Sequence, residues 1–301
     1  MRALQYTTYG GLDALRWADA PEPHAGPGQI RVAVRAASVN PIDWKNLAGL
    51  MAGGRPLEGT GYLGYDAAGV VDEVGDGVTG VAVGDEVLGR GRDTQAELAV
   101  LDSWALKPAS VDWATAAAVG VAGETAERGL RLLGVTAGTT LFVDGGAGGV
   151  GAVVVQMAVA RDATVIASAS QANQDYLRTL GATPVLYGDG LVERVREAAG
   201  GPVEAVFDVA GKTPAEQLIS LAPQPSQVVT IANFAAAALG VRATGGGPAD
   251  SRPMEALALV ADLLSQDRLS LVVQTFPFEK FDEAYRISMD GHVRGKLVLV
   301  P

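Results

Sequence analysis

A chain of 301 residues, 48% of them apolar and 39 of them glycine, carries enough apolar material for two packed domains and too much for a disordered chain. Its formal net charge of -11 repels phosphate backbones and argues against nucleic acid as the main partner. With no cysteine and only His24 and His292, it offers no disulfide framework, no thiolate nucleophile and no ordinary set of zinc ligands. No metal is therefore expected.

The first residues, Met1-Arg2-Ala3-Leu4-Gln5-Tyr6, lack an apolar run behind the basic residue. The longer apolar stretches are too short, or too interrupted by glycine, to cross a bilayer. The expectation is a cytoplasmic protein with no membrane association. Ile30-Arg31-Val32-Ala33-Val34-Arg35-Ala36 alternates apolar and polar residues, the period of a half-buried strand. Residues 68–75 and 80–87 are short valine-rich pieces cut by glycine and aspartate, and 97–100 is another short strand candidate. The first third thus reads as β-rich and turn-rich.

The texture changes near Val111. Residues 112–133 have helical spacing. Beyond them strands and helices alternate: a strand at 140–143, a helix at 150–161, a strand at 163–168, a helix at 171–180 stopped by Gly181, a strand at 185–187, a helix at 191–199, and strands at 203–208 and 228–231. Strands separated by helices of about ten residues imply right-handed βαβ units and a parallel sheet. A helix at 252–266, a mixed segment at 269–276, a helix at 278–289 and a strand at 295–300 complete the chain.

One motif carries chemistry. Gly146-Ala147-Gly148-Gly149-Val150-Gly151 fits G-x-G-x-x-G, follows an apolar strand and opens a helix. The first glycine is expected to allow the tight turn, the second the approach of a pyrophosphate, and the third close packing of helix on strand. The helix N-terminus adds free N–H groups and a partial positive charge. NAD enzymes usually place an acid about 20 residues further on, against the ribose hydroxyls. Here that stretch reads Ile166-Ala167-Ser168-Ala169-Ser170. A carboxylate would repel a 2′-phosphate, whereas Ser168 and Ser170 can donate to one, so the cofactor expected is NADPH.

With these residues in view, the chain resembles the zinc-free quinone oxidoreductase branch, ζ-crystallin-like, of the medium-chain dehydrogenase/reductase superfamily. The resemblance rests on Ser38-Val39-Asn40-Pro41-Ile42-Asp43-Trp44-Lys45, Gly64-Tyr65-Asp66-Ala67-Ala68-Gly69-Val70-Val71, Val83-Gly84-Asp85-Glu86-Val87, Ala122-Gly123-Glu124-Thr125-Ala126, the glycine turn, and Gly291-His292-Val293-Arg294-Gly295-Lys296-Leu297-Val298-Leu299. It implies an α/β protein: a GroES-like β-barrel catalytic domain at 1–120, completed by 260–301, and a doubly wound parallel Rossmann domain at 121–259. Zinc-dependent relatives carry a His-Glu pair where this chain has Tyr65-Asp66, and a cysteine where it has only Asn40-Pro41. The resemblance places Asn40 and Thr125 on the nicotinamide side, and Gly146, Ala147, Gly148, Gly149 and Val150 on the pyrophosphate. Ser168 falls by the adenosine ribose, Val209 and Ala210 under the cofactor, and Ile231, Asn233 and Phe234 near the nicotinamide ribose. Arg294 and Lys296 fall in a segment that touches the cofactor or closes the cleft. It also implies a homodimer, although no interface is legible. Many relatives carry a lysine where this chain has Asn173, and tyrosines where it has Met51 and Gly61.

The chemistry expected is hydride transfer from NADPH to an acceptor that is already electron-poor, a quinone or an α,β-unsaturated carbonyl. Asn40, Lys45 or Tyr62 could donate to the developing oxyanion. Lys45 fits a solvated helix position as well, Tyr62 a packing position, and Asp43 a helix cap near Trp44. An enoyl reductase tailoring a polyketide-like intermediate and a non-catalytic NADPH-binding module are the alternatives.

Overall fold

The structure is a computed structural model that describes all residues, 1–301. The chain divides into two compact units, Met1–Val121 with Pro253–Pro301, and Ala122–Arg252. The first unit opens with β1 (Arg2–Tyr6) and β2 (Arg16–Asp19), an antiparallel pair. β3 (Ile30–Val39) follows; along it Ile30, Val32 and Val34 turn inward while Arg31 and Arg35 turn outward. Then come α1 (Pro41–Leu47), β4 (Gly61–Tyr62), β5 (Asp66–Val74), β6 (Glu86–Arg92), β7 (Leu98–Leu106) and α2 (Trp113–Ala118). β4 joins the far edge of β1. β3 pairs with both β5 and β7, so β3, β5, β6 and β7 close on one another as a barrel. Register shifts at Arg31/Val32, Val34/Ala36 and Arg90/Gly91 bend the strands enough for closure.

The second unit begins within α3 (Gly120–Leu132). The elements then alternate: β8 (Thr140–Asp144), α4 (Gly149–Val159), β9 (Thr164–Ala169), α5 (Gln174–Thr179), β10 (Thr183–Leu186), α6 (Leu191–Ala199), β11 (Ala205–Asp208), α7 (Ala215–Ile219), β12 (Val228–Thr230) and β13 (Arg242–Ala243). The six strands form one parallel sheet in the order β10-β9-β8-β11-β12-β13. That is the doubly wound order, with the topological switch between β8 and β11. Phe142, Ile166, Val206 and Val228 from four strands share a core with Leu191, Val195 and Leu218 from the covering helices.

The chain returns to the first unit through α8 (Pro253–Ser265), β14 (Val273–Pro277), α9 (Phe281–Asp290) and β15 (Lys296–Val300). β15 lies antiparallel on β3 and parallel to β14, extending the barrel sheet to β14-β15-β3-β5-β6-β7. The expected barrel and the expected parallel sheet are both present.

Several expectations need correction. The single helix at 112–133 is two, divided at Val119. At the break a Cβ on Gly120 would stand 2.6 Å from Asp66 Cβ and 2.8 Å from the Gly89 carbonyl oxygen, so a bare glycine lets the chain press against β5 and β6. Residues 80–85 are not a strand. Val83 is 65% exposed, and the paired run starts only at Glu86. No helix is long and apolar enough to cross a membrane.

Candidate functional site

The glycine turn joins β8 to α4, and its glycines divide their tasks differently from the expected scheme. The left-handed residue is Gly145, at φ 94°, one position before the motif. A Cβ there would press on Ala210 Cβ at 2.9 Å and Val209 Cγ2 at 3.2 Å, which places those two residues against the turn. Gly146 is a packing glycine: a Cβ would meet Ala167 Cβ at 2.7 Å and Leu177 Cδ2 at 3.0 Å. Gly151 lets helix meet strand, since a Cβ would lie 2.1 Å from the Gly145 carbonyl oxygen. Gly148 differs from all of these. A Cβ there would have only the Gly145 oxygen, at 3.7 Å, within 4 Å. Gly148 is also the N-cap of α4 and makes no side-chain cap bond, so the first N–H groups of the helix face the open side of the turn. That cradle fits a dinucleotide pyrophosphate.

Beside the turn, the C-terminal ends of four strands carry a row of polar side chains. Ser168 Oγ accepts the Gly145 N–H at 2.9 Å and donates to Asp144 Oδ1 at 2.5 Å. The Gly146 N–H bonds the Ser168 carbonyl at 2.9 Å. Asp208, in register with Asp144, accepts the N–H groups of Ala210 and Gly211 at 3.1 and 2.7 Å and the Thr230 hydroxyl at 2.7 Å. The Thr230 hydroxyl oxygen in turn accepts the N–H groups of Ala232 and Asn233. Ser168 is 1% exposed and its proton goes to Asp144. Ser170, half-buried at the start of the turn that leads into α5, accepts from Asn173 Nδ2 at 3.2 Å and keeps its own proton to give.

The other residues assigned to this unit are spread along the sheet edge. The Ile231 N–H bonds the Asp208 carbonyl. Asn233 follows, and Phe234 is 54% exposed. Thr125 lies on α3, within 3.4 Å of the Arg128 guanidinium. Arg128 is buried with Glu124 at 3.0 Å and donates to Thr244 at 2.7 Å, while Ser251 donates to Glu124 at 2.6 Å. This web fastens the glycine-rich stretch 245–247 to α3.

In the first unit the structure brings Asn40 and Lys296 together and leaves Lys45 and Tyr62 apart from them. Lys296, 5% exposed, donates from Nζ to Asn40 Oδ1 at 2.6 Å. Asn40 Nδ2 donates to Asp66 Oδ1 at 2.9 Å and to Ser38 Oγ at 3.1 Å. The Asn40 amide is therefore engaged within the fold at both its NH2 and its oxygen. Asp66 Oδ2 accepts the Val121 N–H at 2.9 Å. Asp43 is not the cap near Trp44 that was expected. Asn40 is the N-cap, Pro41 fills N1, and Asp43 at N3 reaches back to the Asn40 N–H at 2.7 Å. Asp43 also accepts from Gln95 Nε2 and from the Gly64 N–H, and Gln95 Oε1 accepts the Tyr285 hydroxyl at 2.7 Å. Burial pushes the Asp43 carboxyl up to about 7 against the pull of the Asn40 N–H; the Asp66 charge adds to the rise and Lys296 opposes it. Burial lowers Lys296, and the two carboxylates hold it back. Lys45 stands in the last turn of α1 with its ammonium 5.6 Å from the Trp44 ring. Tyr62 is half-buried on β4, opposite Gln5. Arg294 falls in the turn before β15, between left-handed His292 and Gly295.

Sequence reasoning gives no role to the side chains of Asp144 and Asp208, although a lone acid closing an apolar strand just before glycine or a small residue is a usable signal. It had no signal for Gln95 and Tyr285. No three His, Asp or Glu side chains gather to hold a metal ion.

Residues 26–128 match the family described as the alcohol dehydrogenase GroES-like domain, and residues 180–299 the one described as zinc-binding dehydrogenase. Within the second match the only histidine is His292, and there is no cysteine. Over its whole length the chain is 31% identical to 2-methylene-furan-3-one reductase of Solanum lycopersicum, covering 79% of that protein. It is 30% identical to the chloroplastic NADPH-dependent alkenal/one oxidoreductase of Arabidopsis thaliana, covering 80% of it. Among solved structures, the quinone oxidoreductase of Coxiella burnetii superimposes with a TM-score of 0.84 at 30% identity, over 100% of this chain and 99% of that one.

Proposed function

This chain belongs to the medium-chain dehydrogenase/reductase superfamily, in its quinone oxidoreductase branch, and from that premise we propose that it is an NADPH-dependent, zinc-independent reductase of quinones or α,β-unsaturated carbonyls. The observation that carries the reading is the open face of Gly148 at the N-terminus of α4, where, unlike at Gly145, Gly146 and Gly151, the missing side chain leaves room for a ligand rather than for protein. The named activities of the relatives, an alkenal/one oxidoreductase and a furanone reductase, supply the substrate class.

In this reading residues 146–150 hold the pyrophosphate through backbone N–H groups. Val209 and Ala210, packed on Gly145, form the floor. Ser170 serves the 2′-phosphate alone. Ile231, Asn233 and Phe234 follow the nicotinamide ribose, with Thr125 on the nicotinamide side. Bound there, NADPH would supply a hydride to the electron-poor carbon of the acceptor. The chain's own task is to orient that acceptor, exclude water and donate to the oxygen that gains charge. With Asn40 engaged, Lys45 and Tyr62 remain the candidate donors.

The test is NADPH oxidation across a panel of quinones, enones and enoyl thioesters. Turnover of quinones or enones is expected. Turnover of thioesters alone would move the assignment to an enoyl reductase, and tight NADPH binding with no turnover would make the chain a binding module.

A further inference from the structure

Asp144 is the last residue of β8 and stands directly before the glycine turn. Its partner in register on the neighbouring strand is Asp208, the last residue of β11. Two acids thus end adjacent parallel strands at the edge that carries the turn, and their surroundings differ. Asp208 receives three donors: two backbone N–H groups on Oδ1 and the Thr230 hydroxyl on Oδ2. Asp144 is 2% exposed and takes the Ser168 hydroxyl on Oδ1; Oδ2 has no partner at full hydrogen-bond geometry, the Thr213 hydroxyl being the other donor beside the carboxylate. A buried carboxylate with one well-formed donor and a like charge one strand away is costly to ionise.

The groups that face Asp144 include no cation. They are the Ser168 hydroxyl from β9, the Asp208 carboxylate from β11 and the Thr213 hydroxyl from the segment after β11. The first turn of α4 carries no charged side chain. A dinucleotide pyrophosphate on the turn would bring further negative charge to this corner.

We propose that Asp144 is a proton-linked residue of the cofactor site, taking up a proton from solvent on Oδ2 when the pyrophosphate settles on the turn and returning it when the site empties. The proposal rests on the reading that the turn binds a dinucleotide. Burial already pushes the Asp144 carboxyl above the ordinary carboxylate range; the Ser168 and Thr213 hydroxyls offset part of that, and the Asp208 charge adds to it. A bound anion raises it again, so cofactor affinity falls as pH rises past the point where the free protein loses this proton.

The experiment is calorimetric titration of NADPH into the full chain, from pH 5.5 to 9, in paired buffers of different ionisation enthalpy. Asp144→Asn is the comparison, since the amide oxygen still accepts from Ser168 and only the charge is removed. Wild type is expected to take up protons beyond those that the variant takes up, the remainder belonging to the cofactor's own phosphate. At pH 8.5 the variant should bind about tenfold more tightly, and the gap should narrow as pH falls. Equal proton counts and parallel affinity profiles would overturn the proposal. Should Asp144→Asn fail to fold, infrared difference spectra of wild type with and without NADPH decide: the C=O stretch of a protonated carboxyl appears on binding, or its absence overturns the idea. Wild type that binds neither NADPH nor NADH at any pH removes the dinucleotide reading and this inference with it. Binding without proton uptake removes only the inference.

Discussion

Lys296 Nζ meets Asn40 Oδ1 at 2.6 Å, joining residues 256 positions apart at the crossing of β15 and the start of α1. Around that bond the fold buries two carboxylates, Asp43 and Asp66, and Lys296 is the cation that acts on both. A buried charge set is weak evidence of net stabilisation, but removing one member leaves the others uncompensated. Lys296→Met keeps the length of the side chain and deletes the charge. The expected cost is about 3–5 kcal/mol, read as a fall in the urea midpoint. The loss should shrink at acid pH, where Asp43 takes up a proton and relieves the imbalance. A variant as stable as wild type at pH 8 would contradict this account.

Asp43 also sets a pH dependence of its own. Its carboxyl is held up at about 7, well above the 3.8 of an ordinary aspartate. Between those values the folded chain holds a proton that the unfolded chain has lost. Stability contributed by this group is therefore greatest at the acid end, falls as pH rises through the window, and levels off above about 7. Asp43→Asn should flatten that slope, even though its amide meets the Asn40 and Gln95 donors less well. Unfolding free energy measured from pH 4.5 to 8 in both proteins checks the slope, and an unchanged slope in the variant would reassign the titration.

These two residues show where the sequence was legible and where it was not. The run of apolar strands broken by glycine, and the helix after the turn, are local patterns, so the parallel sheet and the glycine turn could be read directly. Asn40 and Lys296 could be singled out, but not their mutual bond, because only the register of β15 on β3 sets them side by side. Gln95 and Tyr285, 190 positions apart, give no hint of each other in the sequence. β13, at two residues, and β4, also at two, are too short to show a period. Ser168 can be placed near the end of its strand from the sequence. The direction of its hydroxyl depends on Asp144 of the adjacent strand, which no linear pattern reveals.

That direction makes a prediction about cofactor choice. If the 2′-phosphate is recognised here, the donor with a proton to spare is Ser170. NADPH should bind at least tenfold better than NADH. Ser170→Ala should reduce that preference by about tenfold, the worth of one hydrogen bond to a charged group. Ser168→Ala should leave the ratio unchanged while lowering the melting temperature, because it strips Asp144 and the Gly145 N–H of their partner. Dissociation constants for both nucleotides, measured by fluorescence, separate these outcomes. A ratio that collapses in Ser168→Ala and holds in Ser170→Ala would reverse the assignment.

The glycines of the turn should separate binding from folding. Gly148 has φ -77° and ψ 175°, an extended conformation that suits a β-branched residue, and open space where its side chain would point. Gly148→Val should therefore fold normally and abolish nucleotide binding, because its methyls occupy the space before the helix N–H groups. Gly151 is the opposite case. A single methyl there would stand 2.1 Å from the Gly145 carbonyl oxygen, so even Gly151→Ala must push α4 off β8. Overpacking of that kind costs about 1–3 kcal/mol, and it displaces the same N–H groups. The first variant should lose NADPH affinity at an unchanged melting temperature, and the second should lose both together. NADPH affinity retained in Gly148→Val would mean that the open face of the turn is not where the pyrophosphate lies.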